Sequence, residues 1–308
     1  LGAIFILASA PAIAERDTDY RNIKAVGMGD TRVAGGMEYN GFIDNPALLS
    51  RVKNFRLSIM NLPVTINKDL SDMAEFIKDN REKFEKFDEL TPLEKEQFIK
   101  DVEPYDGQWG RVNLSPMVDA AVSFMGQSFG LAVFSVDDVA FKIDRGIYEP
   151  RVWGEGVADV GFVFGYARPL SILVPGLTVG ANIKYIERRT AKLFQIKASD
   201  LGDISETMDP ILDTAHDNES THIAVDVGAL YEVPIIGSEV GAVVKNFGYG
   251  PAFTVDLGIT KRMLNDRLIL LADYRDFLDK NEENGFKKIH LGAEYDLGLI
   301  NLRAGLNS

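Results

Sequence analysis

"LTVGANIKY", Leu177 to Tyr185, decides how this chain folds. Leu177, Val179, Ala181, Ile183 and Tyr185 fall on one face, and Thr178, Gly180, Asn182 and Lys184 on the other, the period of two that an extended strand imposes. The pattern recurs downstream. Ile223, Val225, Val227, Ala229 and Tyr231 oppose Ala224, Asp226 and Gly228; Phe253, Val255, Leu257 and Ile259 oppose Asp256 and Gly258. Leu268, Leu270, Ala272 and Tyr274 oppose Asp273 and Arg275; Leu291, Ala293 and Tyr295 oppose Gly292 and Glu294; Leu302 and Ala304 oppose Arg303 and Gly305. The polar faces carry charge and glycine together. Asn182, Lys184, Asp226, Asp256, Asp273, Arg275, Glu294 and Arg303 are therefore the residues expected to line an interior lumen.

Two features place lipid on the apolar side. Several apolar faces end in tyrosine (Tyr166, Tyr185, Tyr231, Tyr274, Tyr295), as expected where strands cross a membrane interface. Connections also alternate in length: short at 126–128, 169–176, 234–239, 264–267 and 298–299, long at 67–115, 137–151, 187–220 and 276–287, with 248–251 as the exception. Antiparallel strands put successive connections at opposite ends, so one end carries tight turns and the other large loops, the arrangement of outer-membrane barrels. About eleven strands are expected, near 55–66, 117–125, 129–143, 152–168, 175–188, 221–233, 238–247, 252–263, 267–276, 286–297 and 299–307. Single-chain bacterial barrels have even strand numbers, so further strands are expected beyond Ser308. The fold class is all-β, an antiparallel transmembrane barrel spanning 53–308.

Residues 1–14, "LGAIFILASAPAIA", read as the apolar core of a secretory signal ending in the small-x-small site Ala12-Ile13-Ala14, with cleavage after Ala14; the initiator Met and basic start of such a signal are not in the sequence. The 308 residues contain no cysteine, which removes disulfides, thiolate nucleophiles and cysteine-based metal sites. A net charge of −13 argues against a nucleic-acid partner, because such affinity comes from Lys and Arg displacing counterions.

Enzymatic motifs do not hold up. "GQSFG" (Gly126–Gly130) matches the nucleophile-elbow pattern but is followed by a strand rather than a helix. His216, His222 and His290 stand singly, without metal-ligand spacing. "DKNEENG" (Asp279–Gly285) lacks the glycine a calcium loop needs at its sixth position. "GMGDTR" lacks the third glycine of a dinucleotide fingerprint and follows no strand. No catalytic residue, cofactor or metal site is expected.

Two stretches interrupt the alternation. In "NKDLSDMAEFIKDNREKFEKFDELTPLEKEQFIKDVEPYDG", Leu70, Met73, Phe76 and Ile77 recur at helical spacing, and Thr91-Pro92-Leu93-Glu94 offers an N-cap with proline in the first turn. Two amphipathic helices are expected over about 67–104, at the long-loop end. Phe76, Ile77, Phe84 and Phe87 either form an apolar ligand contact or pack the helices on the rim. The other stretch, within 15–52, is "GMGDTRVAGGMEYNGFIDNPALLS" (Gly27–Ser50), rich in glycine yet more apolar than a linker.

That stretch, with "DNPALL" leading into the strand "FRLSIMNLPVTI", resembles the N-terminal region of the FadL-type superfamily (FadL/TodX). Gly27, Gly29, Gly35, Gly36, Asp44, Asn45, Pro46 and Ala47 match. "VVKNFGYGPAF" (Val243–Phe253) and "HLGAEYDLGLINLRAGLN" (His290–Asn307) look like later strands of the same superfamily, including its PorV-like and TraF-like branches. The resemblance implies a fourteen-stranded barrel in the outer membrane of a Gram-negative bacterium, with the N-terminal segment folded inside as a hatch and small hydrophobic compounds as ligands. "NPALL" in place of Asn-Pro-Ala-Gly, and a short stretch between Gly36 and Asn45, favour the PorV-like or TraF-like branches, which implies partners among secretion or envelope-assembly proteins. Outer-membrane lipid is a partner in either case.

Overall fold

The computed structural model describes residues 23–34, 39–146, 148–197, 219–234, 236–249, 253–278, 288–298 and 300–307. The expected signal at 1–14, Gly35, Gly36, His216 and the acidic loop 279–285 lie outside these residues. A short helix α1 (Ile23–Gly27) and two 3-10 turns, Tyr39–Ile43 and Pro46–Arg51, precede the sheet. The strands are β1 (Phe55–Asn61), β2 (Val64–Ile66), β3 (Trp109–Leu114), β4 (Met117–Phe124), β5 (Gln127–Asp144), β6 (Arg151–Pro169) and β7 (Leu177–Lys197). β8 (Glu219–Val233), β9 (Ser238–Phe247), β10 (Thr254–Met263), β11 (Leu268–Tyr274), β12 (Ile289–Asp296) and β13 (Asn301–Asn307) complete them.

These thirteen strands form one antiparallel sheet in eleven columns, ordered β1-β4-β5-β6-β7-β8-β9-β10-β11-β12-β13. β2 and β3 lie off that path because two columns are broken: β2 pairs with β3 beyond the β1–β4 pairing, and β3 and β4 share one edge of β5. The strand expected over 55–66 is thus interrupted at Pro63, and the connection expected through 115 contains β3, with Pro116 between β3 and β4. Proline has no N–H to donate, so each ladder stops and resumes there. Ser115 N donates to Pro63 O at 3.1 Å and Ser135 N to Pro116 O at 2.9 Å, which spans the breaks.

Two other loops are shorter than expected. β5, β6 and β7 run for 18, 19 and 21 residues, so most of the predicted loop at 137–151 and the first part of that at 187–220 are strand. A crossing needs about 9–11 tilted residues, and these three strands rise well beyond one. The short turns fall as expected, with Met125-Gly126 joining β4 to β5 at φ 50° and 73°.

Side-chain burial reverses the order of a soluble sandwich. On β7, Ile183 is 56 % exposed and Tyr185 46 %, whereas Asn182 is 0 % and Lys184 3 % exposed. The same reversal runs across the sheet: Phe129, Leu131 and Val133, Phe162 and Phe164, Ile223 and Val227, Leu257 and Ile259, and Leu291 all stand outward and exposed. Water does not tolerate a continuous apolar face of that extent. Among the described residues no helix is long and apolar enough to cross a membrane. The strands carry the apolar surface.

The helical insert stands at the long-loop end. α2 (Lys68–Asp79) is capped by Asn67, whose Oδ1 accepts from Leu70 N at 3.0 Å. α3 (Arg81–Glu85) follows, and α4 (Pro92–Val102) begins with Thr91 and Glu94 bonding each other's backbone N–H. The Thr91 hydroxyl and the Thr91 backbone N–H both donate to the exposed Glu94 carboxyl, at 2.6 and 2.8 Å, and hold it below the usual glutamate range. Met73, Phe76, Phe84, Phe87, Phe98 and Val102 close a core against Ile143 of β5. The Phe84 and Phe98 rings meet edge-on at 4.9 Å.

Candidate functional site: the hatch and its seat

The inward face is covered by residues 24–34 and 41–52, and the sequence makes room for them with glycine. Eight glycines form four directly opposed cross-strand pairs: Gly130–Gly165, Gly180–Gly228, Gly241–Gly258 and Gly292–Gly305. A Cβ at Gly130 would stand 2.6 Å from Leu49 Cδ2, and one at Gly180 2.5 Å from the Pro46 carbonyl carbon. At Gly228 it would strike Asn45 Oδ1, and at Gly305 the backbone of Gly29. Gly29 itself has φ 65° and lies against Leu291 O and the Leu306 backbone, so both its conformation and its surroundings exclude a side chain. Contacts with one compact segment, from β5 through β13, require the sheet to curl around it, because nine columns laid flat would span about 40 Å.

The Asp-Asn-Pro-Ala motif locks the hatch to itself and to the wall. Asn45 Oδ1 accepts from Ala47 N at 3.1 Å, capping the 3-10 turn that Pro46 starts, while Asn45 Nδ2 donates to Val33 O at 2.7 Å and to Ala229 O of β8 at 3.4 Å. One side chain therefore joins both hatch halves to β8. Asp44 receives Arg32 Nη1 at 3.0 Å and Lys245 Nζ of β9 at 3.5 Å. Val33, Phe42, Leu48 and Leu49 are buried with them. Gly27 ends α1 beside the Arg303 side chain.

The sequence-predicted lumen residues fall into two sets. Asn182, Asp273, Arg275, Glu294 and Arg303 hold the hatch: Asn182 Nδ2 donates to Phe42 O at 2.7 Å, and Asp273 Oδ2 accepts from Arg32 N and Val33 N at 2.5 and 3.0 Å. Arg275 Nη1 pairs with Asp30 at 2.9 Å, and Glu294 receives Lys24 at 2.8 Å and Arg303 at 2.5 Å. Lys184, Asp226 and Asp256 instead brace the wall. Lys184 Nζ lies 2.7 Å from Asp226 Oδ2, Asp226 Oδ1 accepts from Asn246 N at 2.8 Å, and Asp256 Oδ1 from Asp276 N at 2.9 Å. Where the alternation suggested a wet lumen, the level of Asn182 is filled by packed hatch. Breaking buried pairs of this kind costs about 3–5 kcal/mol each, because the surviving charge has no water.

One sequence signal escaped the strand-by-strand reading. Asp159-Val160-Gly161, Asp226-Val227-Gly228, Asp256-Leu257-Gly258 and His290-Leu291-Gly292 recur on β6, β8, β10 and β12, every second column. In each, the polar residue and the glycine face inward: Asp159 grips Arg188 through Nε at 2.8 Å and Nη2 at 2.7 Å, and His290 Nδ1 meets Gly29 O at 2.9 Å. The Asp226 and Asp256 hairpins repeat with a period of 30 residues. Searching for repeats at hairpin length would have found them.

Elsewhere the placements are plain. Phe76, Phe84 and Phe87 are buried inside the insert's own core and Ile77 packs against it, so these side chains hold the insert together. Ser128 of "GQSFG" sits in β5 opposite Ala167, after a two-residue turn, with no helix following. Among the described residues no group of three His, Cys, Asp or Glu is placed to hold a metal. Beneath the hatch, at the short-turn end, a cavity of about 310 Å³ is bordered by Ser50, Arg51, Ser128, Thr178, Glu232 and Glu239. There Arg51 Nη2 reaches both Glu239 oxygens at 2.7 Å, which fastens the end of the hatch to β9.

No family model matches the chain. No curated protein matches it. The crystal structure of the toluene transporter TbuX of Ralstonia pickettii is similar over 94 % of this chain and 79 % of that one, at 13 % identity and a TM-score of 0.48. The functional reading rests on this chain's own geometry.

Proposed function

We propose that the chain forms the wall of an outer-membrane β-barrel, closed inside by its N-terminal hatch, that binds or passes small hydrophobic compounds across that membrane. The observation that carries the reading is the reversal of faces: exposed aliphatic and aromatic side chains outward on every long strand, buried ion pairs and glycine inward. Lipid is the solvent that stabilises the first, and the hatch satisfies the second. A lumen stoppered by a fastened segment does not serve as an open diffusion pore. It fits a gated route for selected molecules.

Uptake tests this. Liposomes containing the protein should take up labelled toluene or a labelled fatty acid faster than protein-free liposomes, while retaining a trapped hydrophilic dye. Uptake equal to the protein-free control overturns the transport reading.

A second reading, a PorV-like or TraF-like role in secretion or envelope assembly, is favoured by one feature. The hatch is held by close-packed apolar clusters as well as by buried polar bonds, and the rim insert turns charge outward and its aromatic rings inward. A secretion or envelope protein co-purifying with the chain, together with absent uptake, would select it.

A further inference from the structure

The chain has two tryptophans, and the fold puts both in one row. Trp109 of β3 stands directly opposite Lys142 of β5, and Lys142 directly opposite Trp153 of β6. The Lys142 ammonium lies 5.5 Å from the Trp109 ring centre and 5.7 Å from that of Trp153. Strand parity fixes the face. Ala132, Phe134, Val136 and Ala140 of β5 are buried inward, and Lys142 continues that series without a bulge, whereas Ile143 points outward into the insert core. The row thus faces the same side as the hatch, twelve residues further along β5 than Gly130, on the wall that rises past the membrane.

All three side chains are partly exposed. Among the described residues no carboxylate lies within ion-pair distance of Lys142; the nearby Glu155 is approached instead by Arg111 at 3.8 Å. Among the described residues the indole N–H of Trp153, shielded from water, has no acceptor. A cross-strand Trp–Lys–Trp ladder contributes a modest cation–π stabilisation by itself, and that accounts for the stacking. It does not account for an indole N–H buried without an acceptor beside an ammonium that faces Glu155 only at longer range than an ion pair, next to two flat apolar faces.

We propose that this row is a binding site for aromatic carboxylates: the carboxylate meets Lys142, and the ring lies on an indole. The proposal rests on the reading above only in taking this face as the one a ligand meets on its way to the hatch. Its test needs no transport.

Because the row contains every tryptophan of the chain, intrinsic emission of the detergent-solubilised protein reports on it directly. Titration with benzoate should change the emission saturably, and benzyl alcohol, which keeps the ring and loses the charge, should bind about tenfold or more weaker. Lys142→Met should weaken benzoate by a similar factor and leave benzyl alcohol unchanged, while Lys142→Arg restores benzoate. Trp109→Phe and Trp153→Phe leave one reporter each and show which ring is covered. The shift in gel mobility on heating monitors folding of each variant. Absence of a saturable response in the folded wild-type protein, or an equal benzoate response in folded Lys142→Met, overturns the site. Saturable benzoate binding without toluene uptake overturns transport alone; uptake without benzoate binding overturns this site alone.

Discussion

The hatch and the helical insert each cover one face of the same sheet, and they do so by opposite means. The insert brings its own core: four phenylalanines, with Tyr105 at 4.5 Å from Phe76, pack among themselves and touch the wall mainly through Ile143 and Gly110. The hatch shares its apolar clusters with the wall, Phe42, Ile43, Leu49 and Val52 in one and Ala25, Met28, Ala47 and Leu48 in the other, and its backbone lies directly on glycine of the wall, fixed by ion pairs to β9 and β12 and by backbone hydrogen bonds to Asp273 of β11. The insert is thus built to tolerate loss of the wall better than the hatch, whose apolar clusters are completed by wall residues. Aromatic packing makes a unit that stands alone; backbone contact with glycine makes one that needs its seat.

The comparison can be broken at four places. Phe98→Ala, at the centre of the insert core and 0 % exposed, should cost about 3–5 kcal/mol, confined to the insert. Limited proteolysis should then cut within 67–106 while the wall keeps its resistance to detergent. Loss of the wall at the same time would show that the insert is not independent.

Ala181→Arg tests the outward face. An arginine there, on the outward face of β7 beside the exposed Ile183 and opposite the exposed Val227, should cost about 2–4 kcal/mol and lower folding yield in liposomes. One residue on, Asn182 meets Phe42 O rather than water, so the inward step is from lipid to hatch. Tolerance of Ala181→Arg, or a soluble monomer without detergent, would remove lipid from the argument.

Gly228→Val addresses the seat. The added carbons collide with Asn45, and overpacking of this kind costs about 1–3 kcal/mol. The hatch should leave its seat before the wall unfolds, so planar-bilayer conductance should rise above wild type with little change in the wall's thermal midpoint. Unchanged conductance with a lowered midpoint would mean that hatch and wall unfold as one.

The smallest effect belongs to the cap of α4. Thr91→Ala should cost about 1 kcal/mol of local helix stability, visible as faster amide exchange in 92–96 alone. Glu94, held below its ordinary range by Thr91, contributes stability that is present above the unfolded glutamate range and lost as pH falls through the folded value. Acidification of the wild-type protein should therefore speed exchange at the same residues. Exchange independent of pH there would remove Glu94 from the cap.

What was legible in the sequence was whatever a local rule dictates. Period-two alternation assigned Asn182 and Lys184 to one face and Ile183 to the other, and the Thr91-Pro92 start and the tight turn at Gly126 follow from local backbone geometry alone. The expected strands over 129–143 and 152–168 already covered nearly all of β5 and β6, whereas the part of β7 beyond 188 was missed because polar residues such as Arg189 and Thr190 look like loop until a neighbouring strand pairs with them. β3 was missed because six residues beside Pro116 carry too short a pattern. Only the tertiary structure decided why charge and glycine share the inward faces: the eight glycines lie far apart along the chain, and each is explained by a hatch residue up to 276 positions away, Gly29 against Gly305. Close approach between distant backbones leaves no periodic trace in a sequence, since the missing Cβ at each glycine matters only once another part of the chain fills its place.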